Sequence, residues 1–421
     1  MAAAPAHSHH QTPNGLLRRR VPGEHTRVTF FELFFDLVFV FAVTQISHGL
    51  AEHLDLEGAI HALMLLLAVW GFWIYTTWAT NWLDPNHLAV RVMLVGVMLA
   101  GLIMSAAIPE AFTSDTRGLV FAVCLGAANV GRTALVVFGT RRDARLMRNF
   151  ERINVWLAAE AILWVAGGFA SDDARVAFWM AALLVLYLGP PTRFPVPGLG
   201  RSELSDWNTV EGSHMAERCG LFVIIALGES LLITGATFSD LEWTAATVSA
   251  MAAAFGTTVA MWWVYFDRTA EFASDLIAHA EDPGRLARLA YTYIHIPIIA
   301  GIILAAVGDE VVLAHPTGES HLSTALTVAG GPAAFLAGYI LFKRAIVGRF
   351  FPSHLAALAL LCALGAAYPL LTPVALTLGS MGVLVGIAAW ARWLHPEPAD
   401  EAIEAVHPGS SPEAAGEPAR G

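Results

Sequence analysis

Two carboxylates lie inside the first strongly apolar stretch of the chain, FFELFFDLVFVFAVTQISHGL at residues 30–50. Glu32 and Asp36 are four residues apart, which places them on one face of a helix. A carboxylate in hydrocarbon is costly unless it is protonated or paired, so ionisable residues there are candidates for a functional site. We therefore predict an acidic face that turns into the protein and finds partners on other helices. The alternative is a helix that begins later, with both acids at the level of the lipid headgroups.

Other ionisable residues fall at a similar depth in other apolar stretches. Counted from the cytoplasmic ends assigned below, at about 1.5 Å per residue, Asp36 lies roughly 10 Å deep and Arg132 roughly 12 Å deep. Glu160 and His295 come out close to these depths. Because a buried arginine needs a carboxylate at its own level, we predict an Asp36–Arg132 ion pair, with Glu32 or Glu160 as the substitute acid. The pair serves either transport or a static locking of two helices.

Glu229 lies deeper, within LFVIIALGESLLITG at residues 221–235. No cation at a comparable depth is evident in the sequence, so we expect Glu229 to be protonated at neutral pH and to be able to relay protons. The alternative is a protonated acid that only bonds a backbone carbonyl. His214 and Glu217 lie at the start of the same stretch, beside Arg218. They lack the third ligand of a metal site, so we expect an ion-pair cluster at the mouth of the helix and no metal.

Composition identifies the surroundings of these residues. Of the 421 residues, 56% are hydrophobic and 14% are charged, whereas soluble domains carry about 25% charged residues. Apolar runs of about 20 residues recur along the chain and predict an all-α, polytopic membrane protein with about twelve transmembrane helices. The predicted spans are residues 30–50, 58–82, 89–108, 118–139, 153–170, 174–189, 214–238, 244–266, 286–308, 323–342, 353–370 and 373–394.

The charges of the loops predict the orientation. Lys and Arg accumulate in alternate loops, which places those loops and both termini in the cytoplasm of a multi-pass protein of the cell (inner or plasma) membrane. The other loops, predicted to be external, hold acids that include Asp115, Asp309 and Glu319. The arginine-rich loop Arg141–Arg152 suits anionic lipid better than nucleic acid. Aromatic residues near the span ends are expected to anchor the helices at the interface: Trp78, Trp82, Trp262, Trp263 and Tyr265.

The chain divides into two halves around a Pro- and Gly-rich linker. We predict a disordered cytoplasmic tail at residues 1–28, six helices at 29–189, a cytoplasmic linker at 190–213, six helices at 214–395 and a disordered tail at 396–421. LAGLIMSAA at 99–107 resembles IAGIILAAV at 299–307, in corresponding spans. This similarity indicates a parallel repeat whose axis runs along the membrane normal.

Three motifs resemble the bacterial low-temperature-requirement protein A (LtrA) family. They are VTFFELFFDLVFVFAVTQ in the first span, HMAERCGLFVIIALGES in the seventh, and YFDR at residues 265–268. The resemblance covers residues 22 to 394 and implies a membrane protein with a role in growth at low temperature. It marks five charged positions without assigning their chemistry: Glu32, Asp36, Glu217, Arg218 and Glu229.

The leading hypothesis is a secondary-transporter-like protein that moves an unknown solute or ion, coupled to protons. It rests on a surplus of intramembrane acids over Arg132, which we take to be the one deep cation. The alternatives are an intramembrane enzyme that acts on a lipid or isoprenoid, and a non-transporting component of cold adaptation. Phosphate-binding, nucleophile-elbow, zinc and dinucleotide motifs are not found, and no cofactor is expected. The pathway candidates are Glu32, Asp36, Arg132, Glu160, Glu217, Arg218, Glu229 and His295.

Overall fold

The computed structural model describes residues 15–18, 27–207, 210–266 and 283–390. Regular structure in these ranges is helical, with two isolated β-bridges, Leu17–Leu83 and Val196–Gly200. The all-α prediction is therefore confirmed for the described residues. The predicted carboxyl-terminal tail and residues 267–268 of the YFDR motif lie outside them.

Thirteen helices of at least seven residues follow one another along the described chain. They are α1 (Phe30–Glu52), α2 (Leu56–Trp82), α3 (Leu88–Ala107), α4 (Asp115–Thr140), α5 (Ala144–Gly168), α6 (Asp172–Thr192), α7 (Gly212–Ser239), α8 (Ala245–Phe266), α9 (His295–Ala314), α10 (Leu322–Val328), α11 (Gly330–Val347), α12 (Pro352–Ala366) and α13 (Pro373–Ala389). A short helix, Pro283–Ala287, and a π-helical segment, Arg288–Tyr293, lead into α9.

Nine helical stretches within the described ranges are long and apolar enough to cross a membrane. They coincide with nine of the twelve predicted spans. The remaining three predicted spans correspond to α5, α12 and α13. Helix α5 is more polar, and α12 and α13 have 15 and 17 residues, short of the ~20 that a ~30 Å hydrocarbon core requires. The number of twelve spans stays a prediction.

Helix α1 begins before its two acids. Thr29 caps the helix, because its hydroxyl accepts from the Glu32 backbone N–H at 3.3 Å while Glu32 Oε2 accepts from the Thr29 backbone N–H at 2.9 Å. This capping box satisfies two N–H groups that have no partner within the helix. Glu32 and Asp36 therefore lie in the first two turns of α1, and both are buried.

Close helix approach in the second half depends on small residues. A Cβ at Gly301 of α9 would overlap the backbone of Gly331 and Phe335 in α11. In the first half, a Cβ at Gly126 of α4 would lie 2.8 Å from Cβ of Ala161 in α5. Glycine permits this packing in membranes, where van der Waals contact replaces the hydrophobic driving force.

Two helices of the second half are interrupted at prolines. Pro297, in the first turn of α9, has no N–H to donate to a carbonyl of the preceding π-helical segment. In that segment, the Thr292 carbonyl accepts a hydrogen bond from Trp70 Nε1 at 2.8 Å. The tenth predicted span is divided at Ala329 into α10 and α11. Pro332 lies four residues after Val328, so it cannot donate the helical hydrogen bond to the Val328 carbonyl.

Helices α1 and α7 lie at the centre of the arrangement. Helix α1 contacts α2, α3, α7 and α9, and α7 contacts α2, α8 and α9 as well. Each of these two helices therefore packs against helices that precede residues 190–213 and against helices that follow them. Polar groups on their facing sides become buried between α1 and α7.

The linker packs against the first turns of α5. Arg145 Nε lies 2.7 Å from Asp206 Oδ1, and Arg152 Nε donates to the Leu199 carbonyl at 2.8 Å. Three other arginines of the Arg141–Arg152 region remain exposed: Arg141, Arg142 and Arg148.

Several sequence predictions need correction. Trp78, Trp82 and Tyr265 are buried instead of anchoring the helices at a lipid interface, because they pack between helices; Trp262 and Trp263 are exposed. Asp309 lies inside α9 and is buried, not in an external loop, because the helix continues to Ala314.

The amino-terminal tail also departs from the prediction of disorder. Among its described residues, Leu17 pairs with Leu83 at the end of α2, and the Arg18 backbone N–H donates to the Trp82 carbonyl at 2.8 Å. This pairing brings the Arg18 side chain to the amino-terminal end of α1.

Candidate functional site

A buried cluster of charged side chains joins α1 to α7. Glu32 and Asp36 supply its acids from α1, and Arg218 supplies a cation from α7. All three side chains are at most 1% exposed. A helical spacing of four residues puts the two acids on one face, as the sequence predicted, and that face meets α7.

Asp36 is held by two strong donors. Its Oδ1 accepts from Arg218 Nη2 at 2.6 Å and from Trp73 Nε1 of α2 at 2.7 Å. The guanidinium of Arg218 also lies 5.6 Å from the ring centroids of Trp73 and Phe35. These rings pack against the guanidinium and add cation–π attraction.

Glu32 collects the remaining partners. Its Oε1 lies 2.7 Å from Arg18 Nη2, 2.8 Å from His214 Nε2 and 3.3 Å from Arg218 Nη1. Arg18 is fixed by the end of α2, since its Nε donates to the Thr80 carbonyl at 2.7 Å. The described residues of the amino-terminal segment thus lie against the Glu32 side of the cluster.

Asn81 assigns the tautomer of His214. The Asn81 amide nitrogen donates to the Glu211 carbonyl at 3.0 Å and lies 3.3 Å from His214 Nδ1. His214 Nδ1 is therefore the acceptor, and Nε2–H donates to Glu32. With a neutral His214, two carboxylates face two guanidinium groups, and the cluster is balanced in charge.

Asp36 Oδ2 and Arg218 Nε have no hydrogen-bond partner among the described residues, and Arg218 Nη1 has only its ion-pair contact with Glu32. Buried polar atoms are normally satisfied, so one acceptor and one donor left open mark a place for water, a proton or a small polar solute. The arrangement can therefore bind or exchange a ligand while its charges stay compensated.

The predicted Asp36–Arg132 pair is wrong. Arg132 Nη1 donates to Thr76 Oγ1 at 2.8 Å, and Nη2 donates to Asn129 Oδ1 at 3.1 Å. Asn129 in turn donates to both carboxylate oxygens of Glu160, at 3.3 and 3.2 Å. The acid nearest to Arg132 in this network is thus Glu160, one of the predicted substitutes. The Asn129 amide bridges the guanidinium and the carboxylate. Trp164 Nε1 also donates to Glu160, at 2.8 Å.

Arg132 is also not the one deep cation. Arg218 lies two turns into α7 and is fully buried. The expected ion-pair cluster at the start of α7 does form around His214 and Arg218, but its acids come from α1. Glu217 is exposed and its Oε2 accepts from the Val28 backbone N–H at 3.0 Å.

The two remaining candidates lie apart from the cluster. Glu229 is buried at 2% exposure and lies near Thr44 and His48 of α1. His295 accepts from the Tyr265 hydroxyl at 2.8 Å through Nε2, and Nδ1 lies 2.8 Å from the Ala290 carbonyl. His295 therefore joins α8 to the π-helical segment and has no acid partner among the described residues.

Sequence reasoning did not identify Arg18, Trp73 and Asn81 as site residues. Arg18 belongs to a polar tail, and Trp73 and Asn81 lie in an apolar span where neither carries a formal charge. The packing of α2 against α1 and α7 places Trp73 beside Asp36 and Asn81 beside His214. The pairing of Leu17 with Leu83 places Arg18 beside Glu32. The described residues contain no group of three or more His, Cys, Asp or Glu side chains that could hold a metal ion.

Comparison with known proteins supports the resemblance drawn from the motifs. The profile of the bacterial low temperature requirement A protein (LtrA) matches residues 27–389. An uncharacterized protein of Rhizobium meliloti (strain 1021) is 39% identical over 375 residues, which cover 88% of this chain and 90% of that protein. No solved structure matches the chain significantly. The cluster described above includes the acids of the first motif and the arginine of the second, and the chain belongs to the bacterial low temperature requirement A family.

Proposed function

We propose that this integral membrane protein is a secondary transporter that moves a small solute or ion across the bacterial inner membrane in exchange for, or together with, protons. The observation that carries the proposal is the buried α1–α7 cluster, in which Asp36 and Arg218 retain open hydrogen-bonding atoms. Ionisable residues held in a membrane interior are expensive, and they mark proton and ion pathways.

Competition for the carboxylates supplies a coupling mechanism. While α1 and α7 are in contact, Arg218 and Arg18 neutralise Asp36 and Glu32. If the two helices separate on one side of the membrane, Arg218 leaves Asp36, and Asp36 must take up a proton or a cation because a bare carboxylate is not tolerated there. Glu32 keeps Arg18, which is held by the end of α2. Return of Arg218 then expels the bound ion. Such rocking of one half against the other is a common route to alternating access.

The order of helix contacts supports two six-helix halves. Helix α1 contacts α2 and α3, α3 contacts α4, α4 contacts α5, and α5 contacts α6. In the second half α7 contacts α8 and α9, α9 contacts α10 and α11, α11 contacts α12, and α12 contacts α13. The correspondence fits a parallel repeat in which α1 and α7 are equivalent. It also keeps both termini on one side, which the loop charges place in the cytoplasm. The exposed arginines of the Arg141–Arg152 region would then face anionic lipid.

Purified protein in liposomes tests the proposal. Internal pH is followed with a trapped fluorescent dye while amino acids, sugars, organic acids and salts are added outside one at a time. We expect at least one of them to drive proton movement, which Asp36→Asn abolishes when equal amounts of folded wild type and variant are reconstituted. Asp173→Asn, an exposed acid in the first turn of α6, is the matched control and should behave as the wild type.

Each of the other outcomes supports a different class of protein. Turnover of lipid or isoprenoid without flux would identify an intramembrane enzyme and refute transport. Neither flux nor turnover would leave a non-transporting membrane component in growth at low temperature. Flux that Asp36→Asn leaves unchanged would remove the α1–α7 cluster from the pathway.

A further inference from the structure

A second buried acid lies away from the α1–α7 cluster, where α7, α8 and α9 meet. Asp309 of α9 is 4% exposed, and its Oδ2 accepts from Ser230 Oγ of α7 at 3.3 Å. The same Ser230 oxygen lies 3.2 Å from Thr258 Oγ1 of α8. One carboxylate and two hydroxyl groups thus converge from three different helices.

Asp309 has no positive partner among the described residues. The salt bridges found there involve other acids. A carboxylate inside a membrane protein must be neutralised, and in this place only a proton or a bound cation can do so. The oxygen atoms around Asp309 indicate whether a proton or a cation is bound.

Further oxygen atoms without a donor belong to the segments that pack near Ser230 and Gly308. Thr234 lies one turn beyond Ser230 on the same face of α7, is 1% exposed, and its hydroxyl has no hydrogen-bond partner among the described residues. Gly308 packs against the interruption between α10 and α11, where a Cβ would lie 3.0 Å from the Val328 backbone nitrogen. The Val328 carbonyl lacks its helical donor because Pro332 has no N–H. Interrupted helices contribute such carbonyls to the sodium sites of transporters.

We propose that Asp309, together with the hydroxyl groups of Ser230, Thr234 and Thr258, binds a sodium ion. A proton would need one acceptor, whereas this position offers a carboxylate surrounded by neutral oxygens, the ligands of a hard cation. A single carboxylate balances a monovalent ion, and a divalent ion would leave one buried positive charge. A role for sodium in driving solute movement rests on the proposed function. Binding of sodium to this site can be measured without transport.

The test is the thermal stability of the full-length protein in detergent, with NaCl replaced by choline chloride or KCl at constant ionic strength. A ligand that binds only the folded state raises the unfolding temperature as its concentration rises. We expect NaCl to raise it and the other two salts to leave it unchanged. Asp309→Asn should abolish the sodium response, and Thr258→Ala should raise the half-maximal NaCl concentration about tenfold, equivalent to one ligand contact of about 1.4 kcal/mol.

Thr257→Ala is the matched control. Thr257 and Thr258 are neighbours in α8 and both are 3% exposed, but the Thr257 hydroxyl donates to the Ala253 carbonyl of its own helix at 2.8 Å. The Thr257→Ala variant should keep the full sodium response. An equal response to KCl or choline chloride, a response that survives Asp309→Asn, or a dependence on pH without any on sodium would overturn the proposal. Because no flux is measured, these results are independent of whether the α1–α7 cluster transports a solute.

Discussion

Removal of either partner of the Asp36–Arg218 pair should destabilise the protein strongly. Two carboxylates face two guanidinium groups in the cluster, so Asp36→Asn leaves one excess positive charge and Arg218→Gln leaves one excess negative charge. An uncompensated buried charge costs about 3–5 kcal/mol. The double variant removes one charge of each sign and restores the balance through Glu32 and Arg18. We therefore expect the double variant to lose less free energy of unfolding than either single variant, and not the ~6–10 kcal/mol of two independent losses.

The free energy of unfolding can be measured by SDS titration in mixed micelles, for the wild type, the two single variants and the double variant. A second cycle that combines Asp36→Asn with Arg132→Gln is the control. Arg132 belongs to the Asn129–Glu160 network, so its effect should add to that of Asp36→Asn within about 0.5 kcal/mol. Additive losses in the first cycle, or a larger coupling in the second, would contradict the geometry of the cluster.

Three further predictions concern packing, topology and Glu229. Gly301→Ala should lower the free energy of unfolding by about 1–3 kcal/mol, because its methyl group overlaps α11. Gly96→Ala in α3 has no atom within 4 Å of the new Cβ, so in a thermal unfolding assay its free energy of unfolding should stay unchanged or rise by up to about 1 kcal/mol. In a cysteine-free background, a membrane-impermeant maleimide should label Glu319→Cys from outside intact cells and should not label Arg344→Cys; the reverse pattern would invert the assigned orientation. Glu229→Gln should fold normally, because the amide matches a protonated acid in shape, and it should abolish the pH dependence of transport. A carboxylate band for Glu229 in infrared difference spectra at pH 5 would show an ionised acid and contradict this expectation.

The general fold could be predicted because hydropathy alone carries it. Runs of about 20 apolar residues predict helices wherever they occur, and twelve of twelve predicted spans coincide with helices in the described residues. Hydropathy did not predict the interruption at Ala329. It also did not predict the burial of Asp309, which lies one residue beyond the predicted end of its span at residue 308. Both depend on how neighbouring helices pack, and not on the apolar character of the segment.

The sequence identified Glu32, Asp36 and Arg218 as candidate site residues, but it paired Asp36 with the wrong arginine. Depth from the membrane surface gives one coordinate, and Asp36 and Arg132 agree in it. The direction that each side chain takes around its helix is a second coordinate, and it turns Arg132 towards Asn129 and Glu160. Arg218 lay near a span end in the sequence, and only the packing of α1 against α7 shows that it is enclosed.

The separation of the cluster's members along the chain has a consequence for biosynthesis. His214 follows Glu32 by 182 residues, and Arg218 follows Asp36 by 182 residues. At about 5–20 residues per second, α1 emerges from the ribosome roughly 10–40 s before its partners on α7. During that time Arg18 is the available counter-ion for Glu32, and Asp36 has none from α7. We expect nascent chains arrested before Gly212 to keep α1 beside the insertion machinery, detectable by site-specific crosslinking, and chains arrested after Ser239 to release it. Equal crosslinking in both would mean that α1 enters the lipid without waiting for α7.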